Sequence, residues 1–320
     1  MAKTTPPASR PLRVLQLCCP ESTAREHVLP LAEHLRRAGL DLWVARCRGA
    51  ASPLPSGVHA ADLPLPASAN PLAHARALAS LASWLATNRM DVVHVHSPGV
   101  ATVGRLAAAL ARVPVVVHTA HGLAFEATGG GLRGLAARAA EKAQSRLQDY
   151  LLCLLREDAR AAERLRLCMA SRVFEIRLGV DPGHLDPERL GRRRGAVRES
   201  LGIPPGAQVV ILVGQGARSH ALSDLAEAAL LVGQRHPSVH MLVLGGQRPG
   251  APADALERLR PLGDRCHVLG QRDDTPGLLA ASDILCLPSR EATPPSVLVE
   301  AMMMQLPVVA SRARGCREVV

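Results

Sequence analysis

The apolar run "VVVHTAHGLAF" carries His118 and His121, with Gly122 following. An imidazole at the carboxyl end of a strand can take, give or hold a proton near neutral pH. It can equally cap the sheet with hydrogen bonds and do nothing more. "HVHSPG" adds His94 and His96, two apart and so on one face of their strand. A histidine pair can bind a metal, but no carboxylate or cysteine stands beside this one at ligand spacing, so no metal is expected. "LVGQGARSHALSDL" reads as a strand, a glycine-containing turn and a helix. Such a junction offers backbone N–H groups and a helix dipole to a phosphate. Gly214 and Gly216 suit a close backbone approach, and Arg218 and His220 add positive charge. G-x-G alone is neither a full dinucleotide fingerprint nor a P-loop, and an ordinary βα turn is the other reading.

"CLPSREATPPSVLVEAMMMQLPVVAS" sets Glu291 and Glu300 around Pro294 and Pro295. Pro295 is the expected first helical residue, with the helix running to about Gln305. Glu300 then lies over a turn inside, where a carboxylate can accept two hydroxyl hydrogen bonds, as from a ribose. A solvated helix glutamate is the alternative. The Met302–Met304 run reads as core packing.

These residues need a frame. Short β-branched runs alternate with Ala/Leu-rich segments of helix length throughout: "RVLQLCC", "DLWVARC", "DVVHVHS", "VPVVVHTA", "YLLCLL" and "VFEIRLGV", then "QVVILVGQG", "VHMLVLGG", "CHVLG", "DILCLPS" and "LPVVAS". Strands this apolar, spaced by helices, predict parallel sheets covered on both faces. Two doubly wound domains follow, divided in the strandless stretch rich in Pro, Gly and charge after "VFEIRLGV", so that they span 1–185 and 186–320. The Pro-rich 52–71 is expected to be a loop inside the first, with Asn70 capping a helix that starts at Pro71. In such sheets ligands bind beyond the carboxyl ends of the strands, which is where the histidines and the glycine turn fall.

Composition narrows the function classes. With 320 residues, 48% apolar, the chain can bury two cores. Aromatics are only 2%, so stacking platforms for nucleic acid are nearly excluded, and charge alone is no nucleic-acid motif. The net charge of +10 favours anionic ligands or an anionic surface. Eight cysteines without a C-x-x-C read as small buried hydrophobes in a reducing compartment. "MAKTTPPASRPLR" lacks the apolar core of a secretory signal, and no apolar run spans a bilayer, so a cytoplasmic location is expected, with peripheral contact on the inner membrane face. "RGLAARAAEKAQSRLQ" is the basic segment for that contact, a solvated helix face being the other reading.

Taken in order, these pieces resemble the family 4 glycosyltransferases, retaining enzymes of the GT-B fold. "EHVLPLAEHLRRAGLDLWVA" looks like the family's first helix and second strand, and "DVVHVHSPGVATVGRLAAALARVPVVVHTAHGLAF" is its most specific match. "LLREDARAAERL" with "IRLGVD" resembles the end of the first domain. "LGIPPGAQVVILVGQG", "GQRDDTPGLLAASDILCLPS" and "LVEAMMMQLPVVAS" resemble the second. The resemblance implies two Rossmann-like domains facing a cleft, the second incomplete at its C-terminus. It implies sugar transfer from a nucleoside-diphosphate sugar to a cell-envelope or polysaccharide-type acceptor, with no cofactor or metal; no nucleic-acid partner is expected, since charge alone points to one. The residues it implies are His121 and Glu291 as catalytic, and Gly214, Gln215, Arg218, His220, Ser296 and Glu300 as donor-binding. Ser22, Thr23 and His96 fall in the acceptor-side loops.

The sequence departs from the family's pattern at several of these places. Ser22 and Thr23 stand where the family has a Gly-Gly. Gln215 and His220 stand where it has an Arg and a Lys on the donor diphosphate. Eight residues separate Glu291 from Glu300 where the family has seven, so an ungapped reading puts Ala292 in the first glutamate's place. The departures supply a second hypothesis, a catalytically impaired or inactive glycosyltransferase-like binding or regulatory protein, or a gene fragment. A sugar-nucleotide epimerase of similar fold is a third.

Overall fold

Each apolar run named above forms a strand in the computed structural model, which describes residues 10–19, 23–46, 52–65, 70–123, 131–214, 220–245, 256–270, 272, 274–289 and 294–320. The chain divides into two units, Met1–Arg177 and Leu178–Val320.

In the first unit β1 (Arg13–Leu17), β2 (Asp41–Ala45), β3 (His59–Ala60), β4 (Val92–Val95), β5 (Val115–Ala120), β6 (Tyr150–Cys153) and β7 (Val173–Glu175) form one sheet in the order β3-β2-β1-β4-β5-β6-β7. All its pairings are parallel. In the second, β8 (Gln208–Gly214), β9 (Val239–Gly245), β10 (Cys266–Gly270), β11 (Ile284–Leu287) and β12 (Val308–Ala310) form a parallel sheet in the order β10-β9-β8-β11-β12. Strand order reverses at β1 and at β8, so each sheet has a switch point, between β1 and β4 and between β8 and β11.

The helices of the first unit are α1 (Leu29–Arg37), entered through a π-helical turn at Ala24–Val28, α2 (Pro71–Asn88), α3 (Pro98–Leu110), α4 (Gly131–Gln144) and α5 (Arg156–Arg164). Alternate residues of β1 go to opposite faces, as the strand period of two requires. Leu15 and Leu17 join Val93 and Val95 under α2 and α3, while Val14 and Cys18 pack with Ala24, Val28 and Ala32. Asn70 caps α2, its Oδ1 accepting the Leu72 N–H at 3.0 Å. Gly104 lets α3 lie close on the sheet: a Cβ there would sit 2.6 Å from both Leu17 Cδ2 and Val95 Cγ1.

The second unit has short helices α6 (Pro187–Gly191) and α7 (Arg194–Ser200), then α8 (His220–Arg235), α9 (Thr275–Ala281), α10 (Ser296–Met303) and α11 (Arg314–Arg317). The break precedes the expected 185/186 division because the Pro-rich stretch is not a free linker. Asp181 and Asp186 cap helical turns through the N–H groups of Gly183, Glu188 and Arg189, and α6 packs on α9. Leu185 and Leu190 are buried with them. The 52–71 stretch departs from a plain loop at one point, where His59 and Ala60 pair with β2 as an edge strand.

An aspartate just before a strand recurs three times. Asp91 precedes β4, and its carboxylate accepts the Arg13 N–H at 2.8 Å while its own N–H donates to the Arg13 carbonyl. Asp149 does the same to Val116 of β5, and Asp283 to Val209 of β8. Asp283 also accepts from Arg194 and Arg198. Burial pushes its carboxyl up, but the hydrogen bonds from Val209 and Arg194 and the two guanidinium charges outweigh this and hold it below the ordinary value. Asp283→Ala leaves the Arg198 guanidinium, only 6% exposed, with carbonyl partners but without its carboxylate, and should cost about 2–4 kcal/mol. The second unit has no Trp, Tyr or Phe. The loss should therefore appear as a lowered urea midpoint by far-UV circular dichroism, with Trp43 and Trp84 fluorescence reporting an undisturbed first unit.

Candidate active site

Four imidazoles converge at the carboxyl edge of the first sheet. His94 and His96 project from one side of β4, as their spacing predicts, with ring centroids 3.9 Å apart. His121 follows β5 at the bend where Gly122 takes φ +121°, a conformation that favours glycine. Its ring lies 5.8 Å from His96 and 4.7 Å from His27 of the π-helical turn. The His96 Nε2–H donates to Gln16 Oε1 at 2.6 Å, and His94 Nε2 bonds Thr119 Oγ1 at 2.7 Å. With the His96 ring held neutral by burial, the first bond puts its proton on Nε2 and leaves Nδ1 bare. Among the described residues, that Nδ1 and Gln16 Nε2 have no hydrogen-bond partner.

His94 and His96 are buried and His27 and His121 half-buried, and the protonated form is disfavoured accordingly. Burial, followed by the charge of His118, lowers His94 to about 3. Burial and then His27 lower His121 to about 3, and burial holds His96 well below its ordinary value. At neutral pH the layer is a set of uncharged donors and acceptors. Among the described residues, no group of three or more His, Cys, Asp or Glu side chains is disposed to hold a metal ion.

His118 belongs to the opposite face. Its Nδ1–H donates to Gln148 Oε1, which also accepts from Arg105 Nη1 at 2.9 Å. Arg105 is 1% exposed and donates further to Glu141 and Gln144 of α4. Burial pushes the Glu141 carboxyl up, and the hydrogen bond and charge of Arg105 hold it below its ordinary value. Burial, then the Arg105 charge, lowers His118 to about 4.

The loops of the switch point are tied together. Ser97 is the N-cap of α3, but its Oγ accepts the Cys19 N–H at 3.0 Å instead of capping the helix. Cys19 is disulfide-bonded, which corrects the expectation that every cysteine is a reduced packing group. Thr23 is half-buried with helical φ and ψ just before the π-helical turn, and Ser22 lies outside the described residues.

In the second unit Gly214 ends β8 and pairs with Gly245. His220 opens α8, while Gln215 and Arg218 lie outside the described residues. β11 ends beside β8, and the Ser289 carbonyl after it accepts from Ser311 Oγ at the end of β12. Glu291 and Ala292 lie outside the described residues. Pro295 is the N-cap of α10 rather than its first residue: its ψ of 123° is extended, so Ser296 opens the helix. The helix ends at Met303, before Gln305 turns left-handed at φ 60°. Glu300 is half-buried inside it. Met304 packs on the core as expected, but Met302 is 48% exposed and departs from that expectation.

Sequence reasoning found His94, His96 and His121 and missed His27, Gln16 and Arg105. Gln16 left a signal, as the polar residue inside the apolar run "VLQLCC". His27 left none, since its partner is at the far end of the unit in sequence.

Two parallel-sheet, Rossmann-like units in series, with switch-point loops after β1, β4, β8 and β11, match the GT-B fold. Residues 24–184 match the family model described as Glycosyltransferase Family 4, and residues 207–320 match Glycosyl transferases group 1. The chain belongs to this glycosyltransferase family. It is 30% identical over 247 residues to UDP-Gal:alpha-D-GlcNAc-diphosphoundecaprenol alpha-1,3-galactosyltransferase of Escherichia coli, covering 75% of this chain and 62% of that protein. It is 30% identical over 237 residues to D-inositol 3-phosphate glycosyltransferase of Mycolicibacterium gilvum, covering 70% and 52%. The chain thus spans about half to three-fifths of the length of these relatives. In fold it is similar to the crystal structure of Anabaena HepE in complex with UDP and glucose, with a TM-score of 0.72 at 19% identity over 97% of this chain and 83% of that one.

The histidines make the first unit sensitive to acid. Their folded values lie below the 6.5 of the unfolded chain, so their contribution is complete above pH 6.5 and is lost as pH falls towards 3–4. Each should remove about 1.4 kcal/mol per pH unit in that window. Denaturant titrations followed by Trp fluorescence at pH 7 and pH 5 should show it. His94→Gln should flatten the pH slope by about one proton.

Proposed function

We propose that this chain is a glycosyltransferase that moves a sugar from a nucleoside-diphosphate sugar to a cell-envelope acceptor, with retention of the anomeric configuration. The observation that carries the reading is the uncharged imidazole of His121 at the carboxyl edge of the first sheet, in a chain whose two halves match the family in order. A neutral imidazole can hydrogen-bond a sugar hydroxyl without adding charge to a site where a diphosphate leaves. The donor's diphosphate belongs at the β8–α8 junction, where Gly214 permits close approach and α8 brings the positive end of its dipole. Gln215, Arg218 and His220 belong to the same junction. Glu300, with Ser296 a turn ahead, is assigned to the ribose hydroxyls, and Glu291 to the loop beside the sugar. No metal is needed in this scheme, since helix dipole and basic side chains balance the phosphates. The lipid-linked diphosphate named for the Escherichia coli relative supports an envelope acceptor of that kind. The family matches favour this reading over an inactive binding protein.

Calorimetric titration with UDP, GDP and their sugars should give saturable heat, and silence at millimolar nucleotide would sink the proposal. Glu300→Gln removes a charged hydrogen-bond acceptor and should weaken nucleotide binding about 10- to 100-fold, the equivalent of ~1.5–3 kcal/mol. His121→Ala should leave nucleotide affinity within about twofold and reduce sugar transfer by at least ~10-fold, read as nucleotide release with acceptor present. An inactive chain would give the opposite pattern: no binding until Gln215→Arg and Ala292→Glu are introduced together.

A further inference from the structure

Gln16 stands where packing alone would place an apolar side chain. It lies inside β1, fully buried, and its neighbours on the same strand face, Val14 and Cys18, pack into an apolar cluster. In register it sits beside Val44 of β2 and His94 of β4. Its Oε1 accepts the Nε2–H of His96, two residues further along β4, at 2.6 Å. Its Nε2 has no hydrogen-bond partner among the described residues, and neither has Nδ1 of His96. A methionine of similar length would bring no unpaired donor of its own. What the amide does, and an apolar residue cannot, is decide where the His96 proton sits. An amide oxygen only accepts, so the ring nitrogen facing it carries the hydrogen. The hydrogen bond to His94 makes no such choice: Thr119 Oγ1 can donate or accept, and suits either tautomer. His96 in turn lies beside both His94 and His121, with ring centroids 3.9 and 5.8 Å away.

We propose that Gln16 is a positioning residue for sugar transfer: by holding the His96 proton on Nε2 it keeps Nδ1 as a hydrogen-bond acceptor inside the imidazole layer, and through His96 it orients His121. The role rests on the reading of His121 as the residue that meets the sugar. A neutral imidazole has one N–H and one lone pair, so the tautomer of one ring decides which edge a neighbouring ring can turn towards it. In a layer of close rings that choice passes from His96 to His121. His121 then offers a defined nitrogen before the substrate arrives. The unpaired atoms are a cost of folding, and the order they secure need not be created at the moment of reaction. A glutamate at position 16 would also accept from His96, but its charge would favour a second proton on the ring and make the layer cationic. The amide fixes the tautomer and adds no charge.

The test uses the full chain and ring-nitrogen NMR, with His96 identified among the 13 histidines by the signals that His96→Phe removes. Wild-type His96 should be the Nε2-protonated tautomer at neutral pH, and Gln16→Met should lose that preference. Nucleotide release from the UDP or GDP sugars that the wild type turns over should fall at least about tenfold in kcat for Gln16→Met, with KM and nucleotide affinity within about twofold. When Gln16→Met is combined with His96→Phe, kcat should stay within about twofold of His96→Phe alone, because a residue that acts through another adds nothing once that other is gone. A wild-type His96 protonated on Nδ1, as a flipped amide would hold it, overturns the proposal without any variant having to fold. So does an unchanged kcat in Gln16→Met, or losses that multiply in the double variant. An equal loss of nucleotide affinity overturns it as well, since Gln16 would then be holding the fold and not the histidine. A wild type that neither binds nor turns over any of these sugars would remove the transfer reading itself, and that outcome is distinct because the others require an active wild type or the tautomer alone.

Discussion

The structure hangs on a carboxylate placed one residue before a strand. Asp91, Asp149 and Asp283 each clamp the first residues of the neighbouring strand in both directions, accepting its N–H and donating to its carbonyl. In a parallel sheet the hydrogen bonds are evenly spaced, and strands buried on both faces carry little polar alternation, so these clamps add to the packing in setting the register. A slip would exchange the two faces of every strand. His94, His96 and Gln16 would then enter the apolar layer beneath α2 and α3, and Leu17 and Val95 would leave it for the opposite face. Because the strands are short, fixing the register at the amino edge also fixes which residues emerge at the carboxyl edge. The clamps at Asp91 and Asp283 sit on the strand pairs β1–β4 and β8–β11, the two switch points where the site residues lie.

Much of this was legible, and the limits have physical reasons. Strands buried on both faces are continuous apolar runs, and each such run formed a strand. β3 was not legible because two residues in a Pro-rich segment have no pattern of their own and become a strand only by pairing with β2. The histidine spacing on β4 was readable because neighbours on a strand face are two apart in sequence. The convergence of Gln16, His27 and His121 was not, because it is made by the crossover that brings β1 beside β4. The aspartates could be seen as letters in "DVVHVHS" and "DILCLPS", but their role depends on a neighbour some seventy to eighty residues away.

The imidazole layer does not earn its place through stability. Gln16 Nε2 and His96 Nδ1 are buried polar atoms without hydrogen-bond partners among the described residues, and each such atom costs about 1–3 kcal/mol. Apolar side chains would fill the same space at lower cost. What the layer supplies is a polar, uncharged surface at the carboxyl edge of the first sheet, held by close ring contacts and by the Gln16 and Thr119 hydrogen bonds.

Arg105 carries the same logic to the opposite face of the sheet. A guanidinium that is 1% exposed must be paired and fully hydrogen-bonded or it would not stay buried. Its partners come from α4 and the turn after it, so Glu141, Gln144 and Gln148 are committed to the interior. That commitment ties α4 to the sheet through His118 and Gln148, and the Arg105 charge in return holds the Glu141 carboxyl below its ordinary value.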